Sequence, residues 1–309
     1  MIQMKLLIQA VFIAALLLMA VPSAHGQDAE YSRKGADTCI ACHGDAEIMT
    51  LFHTKHGAPS NSQGPFGDGQ LQCEACHGPG GAHAGRVRRG QERPSVIRFV
   101  ADSATPVEEQ NGMCLACHQN DVGFSWHTGA HPGDEIGCAD CHDLHASADA
   151  VRQTSTQPDV CFTCHQMQRS ETRKAFSHPI FEGKMDCMGC HNMHGDNAAT
   201  QLARLNVNDT CHQCHAEKRG PYLWEHAPVS EDCGLCHAPH GSNHPGMLTK
   251  RAPLLCQSCH SQSGHPSIPQ DAGGLAGGSP SQFLLGQSCT NCHSQVHGSN
   301  HPSGSRLMR

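Results

Sequence analysis

Every cysteine of this 309-residue chain lies in a C-x-x-C pair, and a histidine follows every pair. The ten sites are Cys39/Cys42/His43, Cys73/Cys76/His77, Cys114/Cys117/His118, Cys138/Cys141/His142, Cys161/Cys164/His165, Cys187/Cys190/His191, Cys211/Cys214/His215, Cys233/Cys236/His237, Cys256/Cys259/His260 and Cys289/Cys292/His293. C-x-x-C-H is the attachment signature of c-type haem: two thioether bonds fix the porphyrin and the adjacent imidazole ligates the iron. A zinc site built from paired cysteines requires no histidine at that position, and neither does a disulfide framework. The pattern therefore predicts ten covalent haems, with all 20 cysteines as thioether carriers and the ten motif histidines as proximal ligands.

The stretch CADCHDLH (138–145) adds a second histidine, His145, three residues after His142. A side chain so close cannot reach around the ring to the opposite face of the same haem, so it is expected to ligate a neighbouring one. His194 and His240 stand at the same offset from His191 and His237. Internal repetition extends this logic. Five two-haem repeats (about 39–83, 114–145, 161–194, 211–240 and 256–297) each read C-x-x-C-H, a histidine, C-x-x-C-H, a histidine. Reading down them selects ten distal candidates: His56, His83, His131, His145, His178, His194, His226, His240, His265 and His297. Ten distal ligands for ten irons predict bis-histidine coordination throughout. His53 and His127 lie just before two of these choices and remain alternatives to His56 and His131. His212, His244 and His301 are expected outside the iron sites, the last two as surface or propionate contacts in their shared GSNHP turns. Methionine ligation would raise the reduction potential; Met113, Met167, Met188 and Met193 lie beside motifs but are read as packing against porphyrin.

Composition fits a chain whose interior is not built from side chains. Aromatic residues make up 4% of it, and Gly and Pro recur throughout. A conventional domain of this length buries one or two large aliphatic and aromatic cores. The expected fold is a multihaem cytochrome c: elongated and mostly irregular, with short α-helices around ten covalent haems and little or no β structure. DVCFTCHQMQRSETRKAF (159–176) is read as a short helix with its motif near the start. Lys5, the apolar run 6–21 and small residues before Gln27 predict a cleaved signal peptide over 1–26, leaving 27–309 as a decahaem domain. The run is short for a bilayer span, which needs about 20 residues. Five arginines in 85–99 suit haem propionates or a partner, the segment 269–286 reads as a flexible excursion, and no sharp domain boundary is visible. A formal charge of −7 lacks the basic footprint of nucleic-acid binding.

Ten motifs, the C-x-x-C-H-x-x-H tails and a signal peptide on a chain of this length resemble the periplasmic decahaem cytochromes of outer-membrane porin–cytochrome conduits, the MtrA/DmsE type. The resemblance spans essentially the whole mature chain. It implies secretion to the periplasm and association with an outer-membrane β-barrel porin. It further implies exchange with a periplasmic or inner-membrane cytochrome, and with an extracellular multihaem cytochrome or reductase. The expected function is that of an electron wire and not an enzyme. The alternatives are a soluble periplasmic shuttle, or a reductase of small nitrogen or sulfur oxyanions, which would need an iron lacking its distal ligand.

Overall fold

The computed structural model describes residues 30–100, 103–122, 126–133, 136–195, 200–260 and 289–308. The signal segment 1–26, His265 and the segment 269–286 lie outside them. The chain divides into two compact units, one ending at Arg98 and the other beginning at Phe99. That break falls at the end of the arginine-bearing segment, where the sequence marks no change of composition.

Among the described residues no strand forms, only isolated antiparallel bridges. The helices are short. Val107–Val122 has 16 residues, whereas Ala252–Gln257 and Gln166–Glu171 have six each. None is long and apolar enough to cross a membrane. Short helices cannot hold themselves together, so the fold depends on what each turn is fastened to.

Each motif is one helical turn. The amide of the motif histidine donates to the carbonyl of the first cysteine, as at His43–Cys39 (2.9 Å), His142–Cys138 (2.9 Å) and His237–Cys233 (3.0 Å). Residues three and four apart share a helix face, so both cysteines and the histidine are presented on one side. The two motifs of a repeat differ in their setting. Cys161 and Cys211 close the α-helices Gln157–Cys161 and Val207–Cys211. The second motifs start 3₁₀ turns at Cys138–Asp140, Cys187–Gly189, Cys233–Leu235 and Cys289–Asn291. The helix expected to begin at the third repeat's first motif therefore ends there instead. Pro158 sits in its first turn, where a missing N–H costs nothing, and a separate helix, Gln166–Glu171, follows the motif.

Within the second unit an amide side chain fastens the two motifs of a repeat to each other. Asn111 Oδ1 accepts from the Cys138 amide at 2.8 Å. Gln157 Oε1 accepts from Cys187 N at 2.9 Å and Met188 N at 3.2 Å, and Asn208 Oδ1 accepts from Cys233 N at 2.7 Å. Each amide also donates: Gln157 to the Val151 carbonyl, Asn208 to that of Val229. Asn111 and Gln157 are buried, and their bonds satisfy the first amide of a 3₁₀ turn that no helical partner could reach. In the first unit Glu74, inside its own motif, is 4% exposed. It accepts from Ser32 N (2.9 Å), Ser32 Oγ (2.8 Å) and Gly80 N (2.6 Å), which ties the start of the described chain to the second motif. Gln72 adds a bond from Ala36 N at 2.6 Å.

Among the described residues the buried aliphatic and aromatic side chains are Ala36, Phe66, Trp126, Val151 and Phe162, outnumbered by buried polar ones such as Glu74, Gln157, Thr172, Ser242 and Ser299. Leu205, Met167, Leu254 and Leu223 are exposed by 60% or more. Such a distribution is the reverse of a side-chain core.

Candidate haem-binding sites

Sulfur is grouped as regularly as imidazole. In every repeat the first cysteines of the two motifs share a hydrogen bond: Cys39 with Cys73, Cys114 with Cys138, Cys161 with Cys187, Cys211 with Cys233 and Cys256 with Cys289. Between repeats of the second unit the second cysteines approach instead, Cys141 near Cys164, Cys190 near Cys214 and Cys236 near Cys259. Burial pushes the Cys73 thiol up to about 12, with Cys39 adding to the shift. A hydrogen bond from Cys138 lowers Cys114 to about 7 and raises the donor. These thiols stand for the thioether sulfurs of a haem-loaded chain, and what carries over is their placement.

The histidines pair across this framework. Ring centroids lie 6.3 Å apart for His43–His83, 6.2 Å for His131–His165, 6.0 Å for His142–His194 and 6.4 Å for His178–His215. The separations are 6.1 Å for His191–His240, His226–His260 and His237–His297. Two imidazoles on opposite faces of one metal, each at a metal–nitrogen distance of about 2.0 Å, have their centroids about 6.3 Å apart. Each pair joins one motif histidine to one distal candidate. No two motif histidines and no two candidates are paired among these seven.

The settings of Cys42, Cys76, Cys117, Cys292 and His118 vary with their place among the repeats. The first cysteine of every motif is half-buried, whereas the second is exposed in seven of the ten: Cys42, Cys117, Cys141, Cys164, Cys214, Cys259 and Cys292. Cys42 and Cys292 belong to the first and last motifs, so each has a neighbouring repeat on one side only. The contact that joins second cysteines between repeats therefore does not arise for them. Cys76 and Cys117 fall on either side of the break between the two units. Cys76 is half-buried, and its charge adds to the raised pKa of Cys73 in the same motif. Cys117 and His118 lie on the exposed side of the helix Val107–Val122. Charge on His118 adds to the lowering that the Cys138 bond produces at Cys114. His56, His77, His118, His145 and His293, like Cys76, make contacts beyond these seven ring pairs.

Ring orientation is set from behind. A ligating imidazole hands its other nitrogen to an acceptor, which fixes the tautomer and aims the metal-facing nitrogen. His77, His191, His237 and His293 each place Nδ1 2.8 Å from a carbonyl, of Ile97, Thr200, Gly246 and Arg306 respectively. His83 does so with Pro94 at 2.8 Å, and the Arg93 guanidinium holds the His83 carbonyl. His142 instead faces the Asp149 carboxylate at 2.6 Å. Burial lowers the pKa of His194 and His297, with charge on His142 and on Lys218 adding to it respectively. This favours the neutral form that binds metal.

The remaining acceptors join distal candidates to each other. His178 Nδ1 lies 3.0 Å from the carbonyl of Pro239, the residue before His240, and His226 Nδ1 lies 2.9 Å from that of Val296, before His297. His131 meets Met193, before His194, at 3.4 Å. Antiparallel bridges Phe176↔Ser242 and Trp224↔Ser299 run alongside two of these contacts. This gives the GSNHP turns a structural part: Ser242 and Ser299 are buried, their hydroxyls accept from His244 N and His301 N, and the Trp224 indole donates to the His301 carbonyl at 3.0 Å.

Glycines follow His194, His240 and His297, all at positive φ. At Gly241 (φ +139°) a Cβ would stand 2.3 Å from the Glu171 carbonyl oxygen, against backbone that cannot swing aside. Gly241→Ala is expected to destabilise the haem-loaded protein by about 1–3 kcal/mol. It should also move His240 away from His191, read as a lower melting temperature and a new high-spin ferric signal. An unchanged melt and spectrum would show that the turn adapts.

His131, rather than His127, faces His165. His53 closes the 3₁₀ turn Leu51–His53 and His56 follows it. The His145 amide donates to Asp143 Oδ1 at 3.0 Å, as the His194 amide does to Asn192 Oδ1 at 3.3 Å. Sequence reading missed Asn111, Gln157 and Asn208. The signal was present as an amide three or four residues before the first cysteine of three repeats.

The family model described as a doubled CXXCH motif matches residues 178–220 and 226–265, and the model for NrfB-like cytochrome c-type proteins matches 73–158. The chain is 46% identical over 286 residues to the multiheme cytochrome MtrA of Shewanella baltica (strain OS185), spanning 91% of this chain and 84% of that protein. It is 33% identical over 143 residues to the cytochrome c-type protein NrfB of Haemophilus influenzae (strain ATCC 51907 / DSM 11121 / KW20 / Rd), spanning 43% of this chain and 60% of that protein.

Proposed function

The chain belongs to the family of the multiheme cytochrome MtrA, and from that premise we propose that it is a periplasmic decahaem electron wire. Bound haem supplies the one-electron iron couple. The chain's own residues set where each iron sits and how it is held.

The observation that carries this reading is the set of seven motif–distal histidine pairs at metal-spanning separation. In the second unit the assignments follow a rule. His131, His178 and His226 reach forward to the irons of the next repeat's first motif, through His165, His215 and His260. His194, His240 and His297 reach back to the previous repeat's second motif, through His142, His191 and His237. Consecutive repeats thus trade ligands in both directions. This draws successive sites together as electron hopping requires, and it leaves none of the seven irons open to a substrate. All-histidine ligation keeps potentials low, since a methionine would raise them.

By the same reading the wire works through a partner. An outer-membrane β-barrel porin would enclose the chain, with periplasmic or inner-membrane cytochromes on one side and an extracellular cytochrome or reductase on the other. Relatedness to the multiheme cytochrome MtrA supports this. Haem-stained native electrophoresis of detergent-extracted outer membranes tests it: co-migration with a large β-barrel protein is expected, and a soluble monomer would reduce the role to that of a shuttle.

Ferric paramagnetic resonance tests the ligation. Parallel imidazole planes split the iron d orbitals that perpendicular planes leave nearly degenerate. The His131–His165 planes cross at 73°, while those of His142–His194 and His237–His297 differ by 22° and 10°. One highly anisotropic low-spin component beside several rhombic ones is expected. A substantial high-spin signal that shifts on adding nitrite would replace the wire with a reductase.

A further inference from the structure

Among the four second-motif histidines that place Nδ1 at 2.8 Å from a partner, all four use a backbone carbonyl. His142 is the exception of its class. Its Nδ1 faces Asp149 Oδ2 at 2.6 Å, and the Asp149 side chain is only 16% exposed. The other oxygen of the carboxylate accepts from the Asp143 amide at 3.5 Å. Asp149 stands at the entry of the 3₁₀ turn Ala150–Arg152, where Val151 is buried, so the carboxylate is carried on fixed backbone.

Among the described residues of the second unit, Glu217 and Glu171 also approach imidazole, and both contacts are weaker. Glu217 is 3.8 Å from His215 with its side chain 61% exposed. Glu171 is 3.3 Å from His240 but shares its charge with Lys174, also at 3.3 Å.

We propose that Asp149 is a positioning and tuning residue that makes the haem of Cys138 and Cys141 the lowest-potential step of the wire. This rests on the ligation proposed above. A carboxylate accepting the Nδ1 proton raises the basicity of the ligand more than a peptide carbonyl does. The more basic imidazole donates more strongly to the iron and stabilises the ferric state. A poorly solvated negative charge one imidazole away acts in the same direction, because it favours the more positive iron. Both effects lower the potential. At intermediate poise this site stays oxidised while its neighbours are reduced, so electrons crossing the second repeat climb a step.

The test compares full-length, haem-loaded wild type with Asp149→Asn and Asp149→Glu. Haem content and low-spin absorption are checked first, and stepwise reduction is then followed by protein-film voltammetry. In D149N the lowest step is expected to move upward by at least a tenfold change in its reduction equilibrium, about 59 mV for one electron. The other steps should stay in place, and D149E should bring the lowest step back towards wild type. A D149N chain with a full low-spin complement and an unmoved lowest step overturns the proposal. Loss of low-spin haem in D149N that D149E restores would give Asp149 a structural part alone, and overturns it too. A wild-type chain lacking bis-histidine spectra would overturn the ligation itself, a result distinguishable from either.

Discussion

His194→Ala should turn one haem high-spin, and that haem should be the one held by Cys138 and Cys141, not the one at Cys187 and Cys190 beside it in sequence. The structure places the His194 ring 6.0 Å from that of His142, with the planes 22° apart, and burial, with charge on His142 adding to it, lowers the His194 pKa. Losing the ligand leaves five-coordinate iron, the largest electronic change a single substitution can make here. Quantified paramagnetic resonance of the ferric protein should show one high-spin centre among the haems. The assignment is checked by non-additivity: in a Cys138→Ala/Cys141→Ala background, the same substitution should add no high-spin signal. A second high-spin centre in that background would show that His194 serves another iron.

The second large effect concerns the polypeptide without its cofactor. Ala36, Phe66, Trp126, Val151 and Phe162 are the buried apolar residues among those described. Ordering a residue costs about 1–2 kcal/mol of backbone entropy, and five side chains cannot offset that along a chain of this length. The helices are too short to persist alone. A chain produced without haem attachment should therefore show coil-like far-ultraviolet dichroism and no cooperative melt, whereas the haem-loaded chain melts cooperatively. A cooperative transition in the apo chain would mean that the amide fasteners at Asn111, Gln157 and Asn208 suffice on their own.

Those fasteners mark where sequence reading stops. The motifs were legible because covalent attachment leaves no freedom of spacing: two cysteines, then the histidine, on one turn. What the spacing hides is the setting of each motif, which leaves Cys117 and His118 exposed on a long helix while Cys161 closes a short one. The distal candidates could be named because the repeat shows one extra histidine after each motif, and seven of them face a motif histidine. Partner choice was only half legible. The three-residue offset of His194 and His240 excludes their own haems, but nothing in the spacing of His131, His178 or His226 says whether each serves its own repeat or the next. That depends on backbone contacts such as His178 Nδ1 to the Pro239 carbonyl, which join residues 61 positions apart. The helix phase at Gln157–Cys161 was misread because apolar and motif residues alternate too briefly to show a period. The break after Arg98 was invisible because QERPSVIR before it and FVADSATP after it are alike mixtures of polar, apolar and proline residues.

The contacts at Met193, Pro239 and Val296 also bear on how faults spread during assembly. At each of these three junctions the forward-reaching histidine is held by the residue next to the backward-reaching one. An attachment that fails at Cys211 and Cys214 would leave His178 without its iron. The hold on the Pro239 carbonyl would then slacken, and with it the aim of His240 at the site of Cys187 and Cys190. One omission during maturation thus becomes two defective neighbours and a loosened joint between them. A chain built this way does not degrade gracefully. An incompletely loaded copy would therefore carry irregular backbone held by fewer fastenings than a complete one.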